Sequence, residues 1–236
     1  MSGPGTLYGL GAGPGDPELI TLKALRILRR CPTIAYPAPE SGESMTRAIV
    51  APHLPGGQRE IRIPMPLEPE RFPSARVYDE AAAEIDRELA RGRDVAAIAQ
   101  GDPFLYGSFM YLYARLAERH AVVVVPGVSS LTACAAAAGA PLAARNDVLV
   151  VIPAPLPADV IRARLADAEA AVIVKLGRHF AKVRAVLDSL GLTEGARCVV
   201  HATLPDERVE PVADVDPESV PYFSTVLVHR RGRAWR

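Results

Sequence analysis

Lysine is almost missing from this chain. Of its 27 basic side chains only Lys23, Lys175 and Lys182 are lysines, so 24 are arginines. Arginine carries a planar fork of donors that matches carboxylates and phosphates; a grip on an anion is one reading of this bias, and genomic composition is the other. Net charge is missing as well. The 27 basic side chains are balanced by 27 acidic ones, which removes the broad positive field that draws a protein to nucleic acid or anionic lipid. A local basic pocket survives that test. Cysteine is scarce: Cys31, Cys134 and Cys198 are odd in number, far apart and form no CxxC pair. That argues against a disulfide framework or a thiolate zinc site and for a reducing compartment. No run reaches the roughly 18 apolar residues of a membrane span; the stretch Leu131 to Ala144 comes nearest and is interrupted by Gly139 and Pro141. Met1 to Tyr8 lacks the basic start and apolar core of a signal peptide. The cytoplasm is the expected location, with neither membrane nor nucleic acid as partner.

What remains is apolar enough to fold. Hydrophobic residues make up 49% of 236 positions, and a chain of this size buries about 70% of its unfolded surface. Short β-rich runs alternate with helical spacing, the pattern of βαβ units and an α/β fold with a mostly parallel first sheet. Strands are predicted at Thr6–Leu10, Thr33–Tyr36, Glu60–Ile63, Asp94–Ala99 and Ala121–Val125. Helices are predicted at Pro17–Arg30, with Asp16 as cap and Pro17 in the first turn, at Ser74–Arg91 and at Tyr106–Arg119, and an alanine-rich helix after Ser130. Six prolines and two glycines from Pro52 to Pro73 predict a surface excursion with one short strand. Beyond Arg145, strands are predicted at Val148–Ile152, Ala171–Lys175, Arg197–His201 and Ser224–His229, and helices at Ala158–Asp167 and Phe180–Ser189. This later bunching of strands predicts a second α/β domain with a mixed sheet, the two domains being 1–127 and 128–236.

Three small-residue loops follow three predicted strands: Gly11 to Asp16, Gln100 to Pro103 and Pro126 to Ser130. In an open parallel sheet such loops gather at the carboxyl ends of the strands, where ligands bind. The first is not a dinucleotide fingerprint. Read from Gly9, GxGxxG demands glycine where Pro14 stands; read from Gly11, it demands glycine where Asp16 stands. Asp16 also puts a carboxylate at the helix start that a pyrophosphate would need. Asp102 either accepts hydrogen bonds from a ligand or closes a turn on its own backbone. Ser129 and Ser130 read either as plain helix caps or as ligand contacts, since a cap can also serve a ligand carboxylate. Lys175-Leu176-Gly177-Arg178-His179 ends a strand with three potential cations in five residues, a solvated helix start or a cradle for a polyanion. His201 sits at another strand end. His53, His120 and His229 have no metal-ligand spacing, and no GxSxG nucleophile motif is present. No metal is expected.

Four segments together resemble the tetrapyrrole methylases, class III methyltransferases that use S-adenosylmethionine. They are YGLGAGPGDPELITLKA (Tyr8 to Ala24), GDPFLYGSFMYL (Gly101 to Leu112), VVPGVSS (Val124 to Ser130) and KLGRHFAKVRAVLDSLGL (Lys175 to Leu192). The GPGDP, GDP and PGVSS loops are general to the family; YGSFMYL and KLGRH are similar to its precorrin-2 carbon-20 methyltransferases. Gln100 departs from the small or acidic residue expected before Gly101, and Ala202 stands where several relatives have glycine.

The resemblance implies two α/β domains with a trough between them, in a homodimer. It implies adenosylmethionine contacts at Pro14, Gln100, Gly101, Asp102, Leu105, Ser129, Ser130, Leu176 and Ala202. It also implies methyl transfer to carbon 20 of precorrin-2 in cobalamin biosynthesis, with cobalt-factor II of the anaerobic route or another ring position as alternatives. A nucleotide-responsive binding module is the non-enzymatic alternative. The substrate's carboxylates would be gripped by Lys175, Arg178 and His179, with Arg145 and Arg47 behind them. His201 is one candidate proton acceptor; a backbone carbonyl, water or a neighbouring group of the substrate are the others.

Overall fold

The computed structural model describes residues 3–65 and 75–230. Its backbone separates into two compact units, one running to Ser129 and one starting at Ser130.

In the first unit, strands β1 (Leu7–Gly11), β2 (Thr33–Pro39), β3 (Arg59–Met65), β4 (Val95–Ala99) and β5 (Val122–Val125) form one sheet in the order β3-β2-β4-β1-β5. Every pairing is parallel. β1 and β4 are buried along their whole length, as strands of a sheet covered on both faces must be. Successive side chains go to opposite faces. Leu7, Val95, Ala97 and Ala99 pack with α3 (Ala75–Ala90) and α4 (Phe109–Leu116). Tyr8, Leu10, Ala96 and Ile98 pack with α1 (Leu22–Arg30) and α2 (Met45–Val50). The chain therefore leaves β1 toward one face and leaves its neighbour β4 toward the other. Such a reversal opens a crevice beyond the carboxyl ends of the two strands, the usual ligand position in an open α/β sheet.

Two predicted helices are altered. The single helix Pro17–Arg30 is two elements: Asp16 caps a 3-10 turn, Pro17–Leu19, by accepting from the Glu18 amide at 2.8 Å. Ile20 is extended, and Thr21 then caps α1 through the Ala24 amide at 3.2 Å. Two side-chain caps five residues apart compete, and each claims its own start. The helix expected from Tyr106 begins only at Phe109, because Tyr106 has φ +56° and cannot continue a right-handed helix. Sequence reading missed α2, which is one turn and a half long, capped by Ser44. Ser74 and positions 66–73 of the expected excursion lie outside the described residues.

The second unit holds a mixed sheet, β6 (Leu149–Pro153), β7 (Ala170–Val174), β10 (Ser224–His229), β8 (Arg197–Val200) and β9 (Arg208–Pro211), in the order β6-β7-β10-β8-β9. β6 and β7 are parallel, whereas β10 runs antiparallel to both β7 and β8. Ala171, Ile173, Cys198, Val200, Val226 and Val228 face α6 (Ala158–Ala166) and α7 (Phe180–Ser189). Val172, Val174, Val199 and Leu227 face α5 (Ser130–Ala137). β9 was missed because an exposed edge strand of four residues ending in proline carries no alternating apolar signal. Among the described residues no helix is long and apolar enough to cross a membrane.

Candidate active site

In the first unit the three small-residue loops close on one another backbone to backbone. The Ala12 amide donates to the Ala99 carbonyl at 2.9 Å, and the Gly101 amide donates to the Gly13 carbonyl at 2.8 Å. The loop after β1 thus extends the sheet past the end of β4. A side chain cannot enter here. A Cβ on Gly127 would lie 2.1 Å from the Gly101 carbonyl oxygen, and one on Gly11 would lie 2.5 Å from the Gly127 Cα.

Two polar side chains lock this arrangement. The Asp102 carboxylate accepts from the Gly127 amide at 3.0 Å through Oδ2 and from the Phe104 amide at 2.9 Å through Oδ1. Both oxygens are therefore engaged with backbone, the turn-aspartate alternative of the sequence reading, and the second bond ties the β4 loop to the β5 loop. Gln100, the departure from the family pattern, donates from Nε2 to the Pro14 carbonyl at 3.1 Å and approaches Met45 Sδ at 3.3 Å. An amide can make that bond, and a carboxylate cannot. Gln100→Ala is expected to lower stability by about one ordinary hydrogen bond, ~1 kcal/mol; urea unfolding reads it directly.

Past Asp102 the chain presents Phe104, Leu105 and Tyr106 to solvent, 48%, 40% and 46% exposed. Phe104 stands edge-on to Tyr113 with centroids 5.2 Å apart. Three consecutive exposed apolar residues make a surface suited to an apolar ligand face. Ser129 directly precedes α5, and Ser130 is its exposed first residue.

In the second unit β7 and β8 end at the same sheet edge, since Val174 and Val200 lie opposite Thr225 and Ser224 at the start of β10. Lys175 and His201 leave that edge with φ +61° and +49°. Leu176 is fully buried and Ala202 nearly so. Gly177–His179 form a 3-10 turn into α7, placing Arg178 exposed and His179 half-buried. Lys182, one turn on, donates to the Leu156 carbonyl at 2.6 Å, and its ammonium pKa is lowered by burial and then by the nearby Arg178 charge. His201 Nδ1 lies 2.6 Å from Asp206 Oδ2. Asp206 was not singled out from sequence, because a carboxylate five residues along a loop has no spacing signature.

Arg47 and Arg145 are the remaining candidates. Arg47 on α2 binds Glu60 of β3 through Nε at 3.3 Å and Nη2 at 2.9 Å, and Glu60 also accepts from Tyr36 Oη. Arg145 is exposed in the loop after α5 with φ +48°. The cysteines are buried, and desolvation pushes Cys31, Cys134 and Cys198 up to about 12, 11 and 12. None is a thiolate nucleophile at neutral pH.

Comparison with known proteins adds ancestry to this geometry. Residues 6–216 match the family profile "Tetrapyrrole (Corrin/Porphyrin) Methylases". The chain is 44% identical over 97% of its length to the "Cobalamin biosynthesis protein CobIJ" of Mycobacterium tuberculosis, covering 46% of that protein; it spans about half the length of such relatives. It is 37% identical to the "Precorrin-2 C(20)-methyltransferase" of Sinorhizobium sp, covering 96% of both chains. It is 36% identical to the "Cobalt-precorrin-2 C(20)-methyltransferase" of Salmonella typhimurium, covering 96% of this chain and 97% of that one. Among solved structures, the uroporphyrin-III C-methyltransferase of Thermus thermophilus complexed with S-adenosylhomocysteine matches with TM-score 0.70 at 24% identity, covering 97% of this chain and 99% of that one.

Proposed function

The chain belongs to the tetrapyrrole methylase family, whose methyl donor is S-adenosylmethionine, and from that premise we propose that it methylates precorrin-2 at carbon 20 in cobalamin biosynthesis. The observation that carries this reading is the match of 36–37% identity, nearly end to end, to two relatives named for that position.

The loops suit the family's methyl donor. Gly11–Asp16, Gln100–Pro103 and Pro126–Ser130 contain no lysine or arginine, so they do not repel a sulfonium cation. A Cβ on Gly101 would meet nothing nearer than the Val128 carbonyl at 3.9 Å, which leaves its backbone open to a ligand. Pro14, Gln100, Gly101, Asp102, Leu105, Ser129, Ser130, Leu176 and Ala202 are proposed to hold adenosylmethionine. When bound, that donor supplies a methyl group already activated on a sulfonium. The chain's task is then alignment, which in favourable cases supplies roughly 7–11 kcal/mol. Rigid glycine-on-glycine packing and the Asp102 clasp are the means.

Arg178, His179 and Lys175 are proposed to grip the substrate's carboxylates, with Arg145 behind them; Arg47 is already paired with Glu60. Arg178→Ala is expected to raise KM for the tetrapyrrole about tenfold with the adenosylmethionine Kd unchanged. Unaltered substrate kinetics would remove Arg178 from the grip. The working species is proposed to be a cytoplasmic homodimer, which sedimentation can test.

The second reading, a cobalt-bearing substrate, is favoured by the Salmonella relative. Incubation with adenosylmethionine and either precorrin-2 or its cobalt form, followed by mass spectrometry, separates the two. One added methyl on precorrin-2 is the expected result; methylation of the cobalt form alone moves the assignment. Binding without methylation of either makes the chain a binding module.

A further inference from the structure

We infer that His201 accepts the proton released in the methylation and that Asp206 is its positioning residue; the inference rests on the function proposed above.

The Asp206 carboxylate is 68% exposed, and the His201 ring only 22%. A hydrogen bond from His201 holds Asp206 below its ordinary carboxylate range. At neutral pH it is therefore ionised and can only accept, so Nδ1 carries the hydrogen and the ring's lone pair is fixed on Nε2. That is the tautomer a base needs. A covered ring whose far nitrogen reaches a solvated carboxylate also has an outlet, through which a captured proton can return to water.

The backbone is committed to this orientation. His201 and Thr203 have φ +49° and +69°, in the left-handed region that non-glycine residues seldom occupy. The His201 amide donates to the Phe223 carbonyl at 3.1 Å, and the His201 carbonyl accepts from the Leu204 amide at 2.9 Å. The Thr203 amide donates to Glu207 Oε2 at 2.6 Å. Unfavourable backbone of this kind persists only where the surroundings over-determine it, and it gathers at working sites. Its effect here is to turn the chain out of β8 so that Asp206 comes back to Nδ1. The same sheet edge carries Lys175, also left-handed, at the end of β7, next to the proposed grip on the substrate.

The step balances. As the substrate carbon forms its bond to the methyl group, the pair of the sulfur–methyl bond stays on sulfur and the positive charge passes to the tetrapyrrole. His201 Nε2 then takes the hydrogen on that carbon as a proton, and the carbon–hydrogen pair restores the ring's conjugation. The imidazolium is stabilised by Asp206 and releases one proton to solvent per turnover. Glu207, which binds the Thr203 amide, and Arg208, whose charge acts on Asp206, are ionisable groups beside the dyad among the described residues, and Lys175 follows β7 at the same end of the sheet. They are common to all variants below, so differences in pH profile report the dyad.

The test is single-turnover methylation across pH. His201→Asn keeps a residue that tolerates left-handed backbone and is expected to lose about 10²–10⁴-fold in rate, the range of a general base, with the adenosylmethionine Kd within about twofold. His201→Gly fits the same backbone, and added imidazole is expected to restore part of its rate. Asp206→Asn is expected to lose on the order of tenfold and to shift the acid-side limb of the rate–pH profile, with Asp206→Glu recovering both. A wild-type rate in His201→Asn, or a loss that neither imidazole nor pH alters, overturns the inference while methylation stands. No product from the wild-type protein on either tetrapyrrole overturns the proposed function, and the base with it.

Discussion

Gly127→Ala is expected to abolish adenosylmethionine binding, raising Kd at least 100-fold, and to lower the unfolding midpoint by several degrees. The new methyl would sit 2.1 Å from the Gly101 carbonyl oxygen and 2.7 Å from the Gly11 Cα. Neither neighbour is a side chain that can rotate away. Relief requires the β5 loop to move off the β1 and β4 loops. That movement breaks the bond of the Gly127 amide to Asp102 and reshapes the backbone surface against which the donor is proposed to lie. Overpacking of this kind costs about 1–3 kcal/mol, and each kcal/mol is worth ~2–4 °C in a chain of this size. The loss in affinity is expected to exceed the loss in stability, because the clash falls on the proposed binding surface itself. Gly3→Ala, with nothing within 4 Å of the added carbon, is the control. Calorimetry and thermal unfolding read both effects. Wild-type affinity in Gly127→Ala would show that the loop contact does not shape the site.

The three loops were legible because glycine and proline announce a turn, and a strand before each fixes where the turn emerges. What sequence could not show is how they are held. Gln100 looked like a mismatch, yet its amide supplies the bond to Pro14. Asp102 looked equally suited to ligand or turn; only the fold brings the Gly127 amide within its reach, 25 positions away. The alternation of strand and helix was legible across both units, since buried strands of four to seven residues carry strong apolar runs. Boundaries failed where two local signals competed, as with Asp16 and Thr21. They failed again where a single φ decided, as at Tyr106. His201 was visible as a polar residue at a strand end, but its partner was not, since a loop brings Asp206 back through two left-handed residues that no composition rule demands.

At the opposite end of the first sheet, Glu88→Gln is expected to cost about 3 kcal/mol of stability while leaving adenosylmethionine affinity within about twofold in the folded protein. Glu88 on α3 is 1% exposed. It accepts from Arg93 Nε at 2.6 Å and Nη2 at 2.8 Å, and from Thr33 Oγ1 at 3.3 Å. Arg91 lies at 3.4 Å and Arg59 at 3.6 Å. Thr33 and Arg59 begin β2 and β3, and Arg93 leads into β4, so one carboxylate pins the end of α3 to three strand starts. A glutamine keeps the shape but sets an NH₂ donor among guanidinium donors and removes their counter-charge; because the arginines are 41–59% exposed, the cost falls at the low end of the about 3–5 kcal/mol of a fully buried pair. Hydrogen bonds from Arg93, followed by the neighbouring guanidinium charges, hold the Glu88 carboxyl below its ordinary range. The sign of the pH effect follows: the depressed value stabilises the fold above the unfolded-state pKa of about 4.3, and that contribution is lost as pH falls through the lower folded value. Urea unfolding at pH 7 is therefore expected to show the full difference between wild type and Glu88→Gln, and the difference is expected to shrink as pH is taken below about 4. A gap of constant size across that range would mean that Glu88 acts through packing rather than charge. Affinity lost together with stability would mean that the two ends of the sheet are not independent, and that the strand starts help to shape the crevice at the strand ends.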